Sequence, residues 1–185
     1  MISENRQQEK VRDQYDIHEF SFSGRDMLTG KLSDMIKRHE GLRLSPYKCT
    51  AGKRTIGYGH NLEASPLHLL DKYLDHYLAS TNAITEHMAD WILDQDILHA
   101  GIAAEQLTPS WHALNDARRA VVISMIFNLG IQGYTQFRRM RSALDAGDWK
   151  ATAAEMRDSA WYRQVGSRGE ELSRMMETGE WAKQP

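Results

Sequence analysis

Along the chain, apolar positions change rhythm twice. Leu32, Met35 and Ile36 recur at the three-and-four spacing of a helix that begins at about Lys31 and closes at Gly41. Between Arg43 and Leu62 that period vanishes: "CTAGK" offers a turn and "TIGYGH" alternates as a strand does, so a hairpin or small three-stranded sheet is predicted. Period-two spacing places Thr55, Gly57 and Gly59 on one strand face and Ile56, Tyr58 and His60 on the other, the glycines leaving room for a close approach to the backbone.

From "ASPL" onward the pattern is helical. Ser65 and Pro66 start a helix that reaches Ala79, Thr85 caps one to about Ala103, and Thr108 with Pro109 opens a short one. Asp116 is the expected cap of "ARRAVVISMIFNLG", apolar on every side and therefore the buried central helix, ended by Gly130. Shorter helices are expected over 134–146, 148–157 and 167–178. The fold class is α+β and predominantly helical: a small antiparallel sheet lobe joined to a larger helical lobe, with no internal repeat. Residues 1–28 read as a helical or loosely ordered extension, with scattered apolar positions and a break at Ser23 and Gly24, and 29–185 as the main domain.

Composition narrows the function. A formal charge of -2 and a pI near 6.4 give no basic field for nucleic acid, and the run Arg138, Arg139, Arg141 reads as a solvated helix face. No stretch approaches the roughly 20 apolar residues of a membrane span, and "MISENRQQEKVRDQYD" lacks the apolar core of a signal peptide. A single cysteine, Cys49, excludes an internal disulfide and a cysteine-based zinc cage. The eight histidines form no H-E-x-x-H cluster, so neither metal nor organic cofactor is expected; Met125, Met140, Met156, Met175 and Met176 read as core filling.

The candidate chemistry lies in "HEGLRLSPYKCTAGKRTIGYGH". Glycosidic cleavage with inversion needs an acid for the leaving oxygen and a second group that holds water on the far side of the sugar. Glu40 at a helix end, facing a hairpin with Cys49 and Thr55, can supply these parts; a surface glutamate beside an ordinary hairpin is the plain alternative. Eight residues separate Glu40 from Cys49 and five separate Cys49 from Thr55, and "IGYGH" follows. This resembles the active-site signature of the phage-type lysozymes, glycoside hydrolase family 24. "RRAVVISMIFNLG", "SAWYRQ" and "GEW" extend the resemblance from about Lys31 to Trp181.

The resemblance implies a two-lobed muramidase acting on bacterial peptidoglycan. Glu40 matches the general acid, Cys49 the position that helps place the attacking water, and Thr55 the hydroxyl of the trio. Arg168 matches an arginine that reaches back to the glutamate; Asn128, Phe127 and Gly59 are substrate-binding or supporting positions; His60 and Asp96 match a structural ion pair. It further implies a monomeric endolysin without stable membrane insertion, held in the host cytoplasm until a holin releases it to the wall in the periplasm. Two departures stand out. Cys49 replaces an aspartate, and a thiol with an ordinary pKa near 8.5 is mostly neutral at pH 7. His39 replaces another acid, and its charge is expected to shift the pH optimum. Two rival readings are a lysozyme-like domain that binds peptidoglycan or a protein without cutting, and a thiol hydrolase built on Cys49 and His60.

Overall fold

The computed structural model describes residues 26–49, 52–63 and 68–182; nearly all of the extension expected over 1–28 lies outside them. Helix α1 spans Asp26–Glu40, starting ahead of the apolar repeat, and buries Leu32, Met35 and Ile36. It stops at Gly41, whose φ of +68° only glycine adopts freely and whose N–H bonds the Lys37 carbonyl at 3.0 Å.

Strands β1 (Arg43–Lys48), β2 (Arg54–Gly57) and β3 (His60–Asn61) form an antiparallel sheet in that order. Tyr47 lies opposite Thr55 and Lys48 opposite Arg54; β3 sets Asn61 against Thr55 and His60 against Ile56. The β1–β2 register is irregular between Arg43 and Tyr47, the interval that holds Pro46, which has no N–H to give a ladder. Regular alternation along β2 stops at Gly57, because Gly57 (φ +63°) and Gly59 (φ +94°) bend the chain into a turn. A Cβ at Gly57 would lie 3.6 Å from Ala89 and 3.8 Å from Ile84, ordinary packing distances on the core side of the strand.

Helix α2 spans His68–Thr81 and α3 Glu86–Leu107, the latter capped by Thr85, whose hydroxyl accepts the Met88 N–H at 3.2 Å. At 22 residues α3 is about 33 Å long. Its first half buries Ala89 and Ile92 with Ile56, Leu62, Leu74, Leu78 and Ile84 under the sheet. Its second half buries Leu93, Ile97, Ala100, Ala103 and Ala104 in the helical core. One helix therefore carries both lobes.

After a short 3₁₀ turn at Trp111–Ala113, α4 (Asp116–Thr135) runs through the centre, with Ala120 to Ile126 buried without interruption. Its cap is Asn115, not the expected Asp116: the Asn115 side chain accepts the Arg118 N–H at 3.1 Å. Gly130 leaves helical geometry (φ 68°, ψ 170°), yet a last turn continues to Thr135 and brings Tyr134 fully into the core. The helix expected over 134–146 is thus divided, its second part being α5 (Arg138–Asp145). Helices α6 (Trp149–Arg157), α7 (Ala160–Val165) and α8 (Ser167–Thr178) complete the body, and α8 ends at Gly179 (φ +73°). The methionines at 125, 140, 156, 175 and 176 are all core residues. No helix among the described residues is long and apolar enough to cross a membrane.

Candidate active site

Glu40 is the last residue of α1, its side chain one-fifth exposed at the junction of the lobes. Arg168, in the first turn of α8, donates from Nη1 to Glu40 Oε1 at 2.5 Å and from Nη2 to Ser124 Oγ at 3.3 Å. Ser124 is fully buried in α4, so three helices meet at one guanidinium. Arg168 is only 8% exposed, and a charge that deeply placed is tolerable because Glu40 balances it.

The sheet supplies the opposite wall. Because Tyr47 and Thr55 are directly paired across strands, they share a face, and Cys49 follows Tyr47 by two residues. Burial holds the Tyr47 phenol above its usual range, the Glu40 carboxylate raises it further and the Cys49 thiol adds to this, against Arg43. The Arg43 guanidinium lies 4.6 Å from the centre of the Tyr47 ring. Cys49 is half-buried and in no disulfide, and its N–H bonds the Lys53 carbonyl at 2.9 Å. Thr55 is 3% exposed and donates its hydroxyl to the Lys53 carbonyl at 3.0 Å, which leaves oxygen lone pairs to accept from a further donor. Gly59 closes the site, since a Cβ there would lie 3.5 Å from Glu40 Oε2.

Other expected residues fall around this centre. His60 Nδ1 bonds both oxygens of Asp96, at 2.9 and 3.1 Å, joining β3 to α3 beneath the sheet. Asn128 accepts the indole N–H of Trp161 at 2.9 Å, and Phe127 packs half-buried on the helical core; neither joins the described Glu40–Arg168–Ser124 chain. Within the basic run, Arg138 and Arg139 are exposed beside Glu155 and Asp158. Arg141 instead donates to the Leu107 carbonyl at 3.0 Å and covers the Tyr134 ring, a structural role that corrects its reading as solvated. Among the described residues no three His, Cys, Asp or Glu side chains gather as metal ligands do.

His39 turns away from the sheet: its Nε2 bonds Glu171 Oε2 at 2.9 Å, while Arg38 bonds the other oxygen. The His39 bond is the main reason the Glu171 carboxyl is held below its usual range, against an opposing effect of burial. A carboxyl depressed in the folded state adds stability above its unfolded pKa of about 4.3 and loses it as pH falls through the folded value. Melting temperature is therefore expected to fall more steeply on acidification below about pH 5 for the parent chain than for Glu171→Gln. Parallel curves would contradict the assignment.

A sheet lobe and a helical lobe are joined through one long helix, with a carboxyl and an arginine at their junction. A family model described as phage lysozyme matches residues 37–177, and the chain belongs to that family. It is 30% identical over 159 residues to the pre-baseplate central spike protein Gp5 of Enterobacteria phage T4, covering 80% of this chain but 28% of the spike protein. Against "Probable T4-type lysozyme 1" of Dictyostelium discoideum it is 27% identical, covering 82% of this chain and 96% of that protein. Against an endolysin of Acyrthosiphon pisum secondary endosymbiont phage 1 it is 32% identical, covering 65% and 71% respectively.

Proposed function

We propose that the chain hydrolyses the β-1,4 bond between N-acetylmuramic acid and N-acetylglucosamine in bacterial peptidoglycan, with Glu40 as general acid. The observation that carries this reading is the Glu40 carboxyl at the junction of the lobes, anchored by Arg168 and lying against Gly59 in the turn between β2 and β3. Glu40 protonates the bridging oxygen as the anomeric bond breaks, and water attacks from the opposite side. Thr55 accepts a hydrogen bond from that water and Cys49 flanks it. As the new C–O bond forms, the water's second proton passes to solvent, from which Glu40 is reprotonated, and attack from the far side inverts the stereochemistry. NMR of the first-formed reducing end is the test: the α anomer is expected, and an initial β anomer would mean a covalent intermediate, with Cys49 as its nucleophile.

In this reading the enzyme is a cofactor-free monomer. It waits in the host cytoplasm until a holin-type opening admits it to the periplasm, and its wall cleavage lyses the host. In this reading residues 29–185 make up the catalytic domain and 1–28 an N-terminal extension. The likeness to a central spike protein, of which the chain spans just over a quarter, favours a second setting in which the same chemistry is carried by a virion. Immunoblots of purified particles against lysate decide between the two: presence in particles supports the virion setting, absence the free endolysin.

A further inference from the structure

The end of α1 meets α8 through three consecutive ionisable side chains. Arg38 Nη2 bonds one oxygen of Glu171, His39 Nε2 bonds the other, and Glu40 takes Arg168. Glu171 and Arg168 are three residues apart on α8, neighbours on one helix face. The His39 ring is 6% exposed and the Glu171 side chain 17%. With Arg38, Val165, Ser167 and Arg168 they surround a cavity of about 440 Å³.

The arrangement answers a mechanical problem. Glu40 is the final residue of its helix, and helix ends are the least constrained turns, with Gly41 continuing in a left-handed conformation. The bond from Arg168 reaches a single carboxyl oxygen, leaving rotation about that contact open, and the other arm of the guanidinium is spent on Ser124. A carboxylate that takes two donors from the two residues just before Glu40 removes this freedom. It also supplies a counter-charge for Arg38, whereas Lys37 in the same turn pairs with Asp90 of α3 at 2.7 Å.

We infer that Glu171 is a positioning residue for the acid: by gripping Arg38 and His39 together, it fixes the rotation of the α1 terminus and so aims the Glu40 carboxyl at the sheet. This rests on Glu40 being the acid. A misplacement near 1 Å can reduce turnover about a hundredfold.

The test is a double-mutant cycle on kcat with purified peptidoglycan, in which Glu171→Gln keeps the shape and removes the charge. Glu171→Gln is expected to lower kcat roughly ten- to a hundredfold, leaving KM within about twofold. In an Arg38→Gln, His39→Gln background the same change should alter kcat by less than about twofold, because the two donors that Glu171 grips are already lost. Removing the donors instead, with Arg38→Gln and His39→Gln combined, should reproduce the loss and serves where Glu171→Gln melts too low to assay. Unchanged kcat in a folded Glu171→Gln protein overturns the inference, as does an equal loss in both backgrounds. Glu40→Gln, assayed alongside, separates the failures: if it retains full activity, the acid assignment itself falls.

Discussion

Glu40→Gln is expected to abolish nearly all clearing of cell walls while leaving the fold in place. The amide keeps the size of the carboxyl and can still accept from Arg168, so the packing of α1 on α8 survives. Only the transferable proton is lost. General acid assistance contributes about 10² to 10⁴ in rate, and a turbidity assay reads a loss of that size directly. Arg168 loses its counter-charge but keeps a hydrogen-bond partner, a cost of about 2–3 kcal/mol that lowers the melting temperature by several degrees without unfolding the protein. Normal lysis by a correctly folded Glu40→Gln protein would remove residue 40 from the chemistry.

Trp161→Ala is expected to produce the largest loss of stability. The indole is 5% exposed, stands edge-on to Phe137 with centroids 6.1 Å apart, and donates its N–H to Asn128. Truncating a buried aromatic of this size costs about 3–5 kcal/mol. In a chain of this length each kcal/mol moves the midpoint by roughly 2–4 °C, so a fall of about 6–20 °C is expected in a thermal melt. Trp161→Phe should retain most of the packing and lose chiefly the bond to Asn128. A fall under about 3 °C for the alanine variant would mean that the α4–α7 junction tolerates a void.

What could be read in advance follows from the range of the interactions. Leu32, Met35 and Ile36 announced α1 because a helix repeats its buried face within a few residues, and the unbroken apolar run of α4 announced its central place. Asn115 and Asp116 are both competent caps, and only the final geometry selects the first. Gly130 does interrupt the helix, but burial of Tyr134 draws out one further turn, which no local signal requires. Helix α7, six residues long, is too short to show a period.

The site divides in the same way. Spacing within one short stretch brought Glu40, Cys49 and Thr55 forward, whereas Arg168 is 128 residues from Glu40 and was identified by family resemblance alone. Ser124 left a faint mark, a lone hydroxyl inside an apolar helix. His39 was read as a charge beside the acid, yet its ring pairs with Glu171, 132 residues away, and no pattern in either segment announces that pairing.

Mass spectrometry of the fragments released from purified peptidoglycan bears most directly on the central claim. The proposed muramidase reaction, with Glu40 as its acid, predicts glycan fragments that end in hydrated, reducing N-acetylmuramic acid and do not form with Glu40→Gln. Fragments ending in reducing N-acetylglucosamine, in an anhydro sugar formed without water, or cut only in their peptides would contradict it.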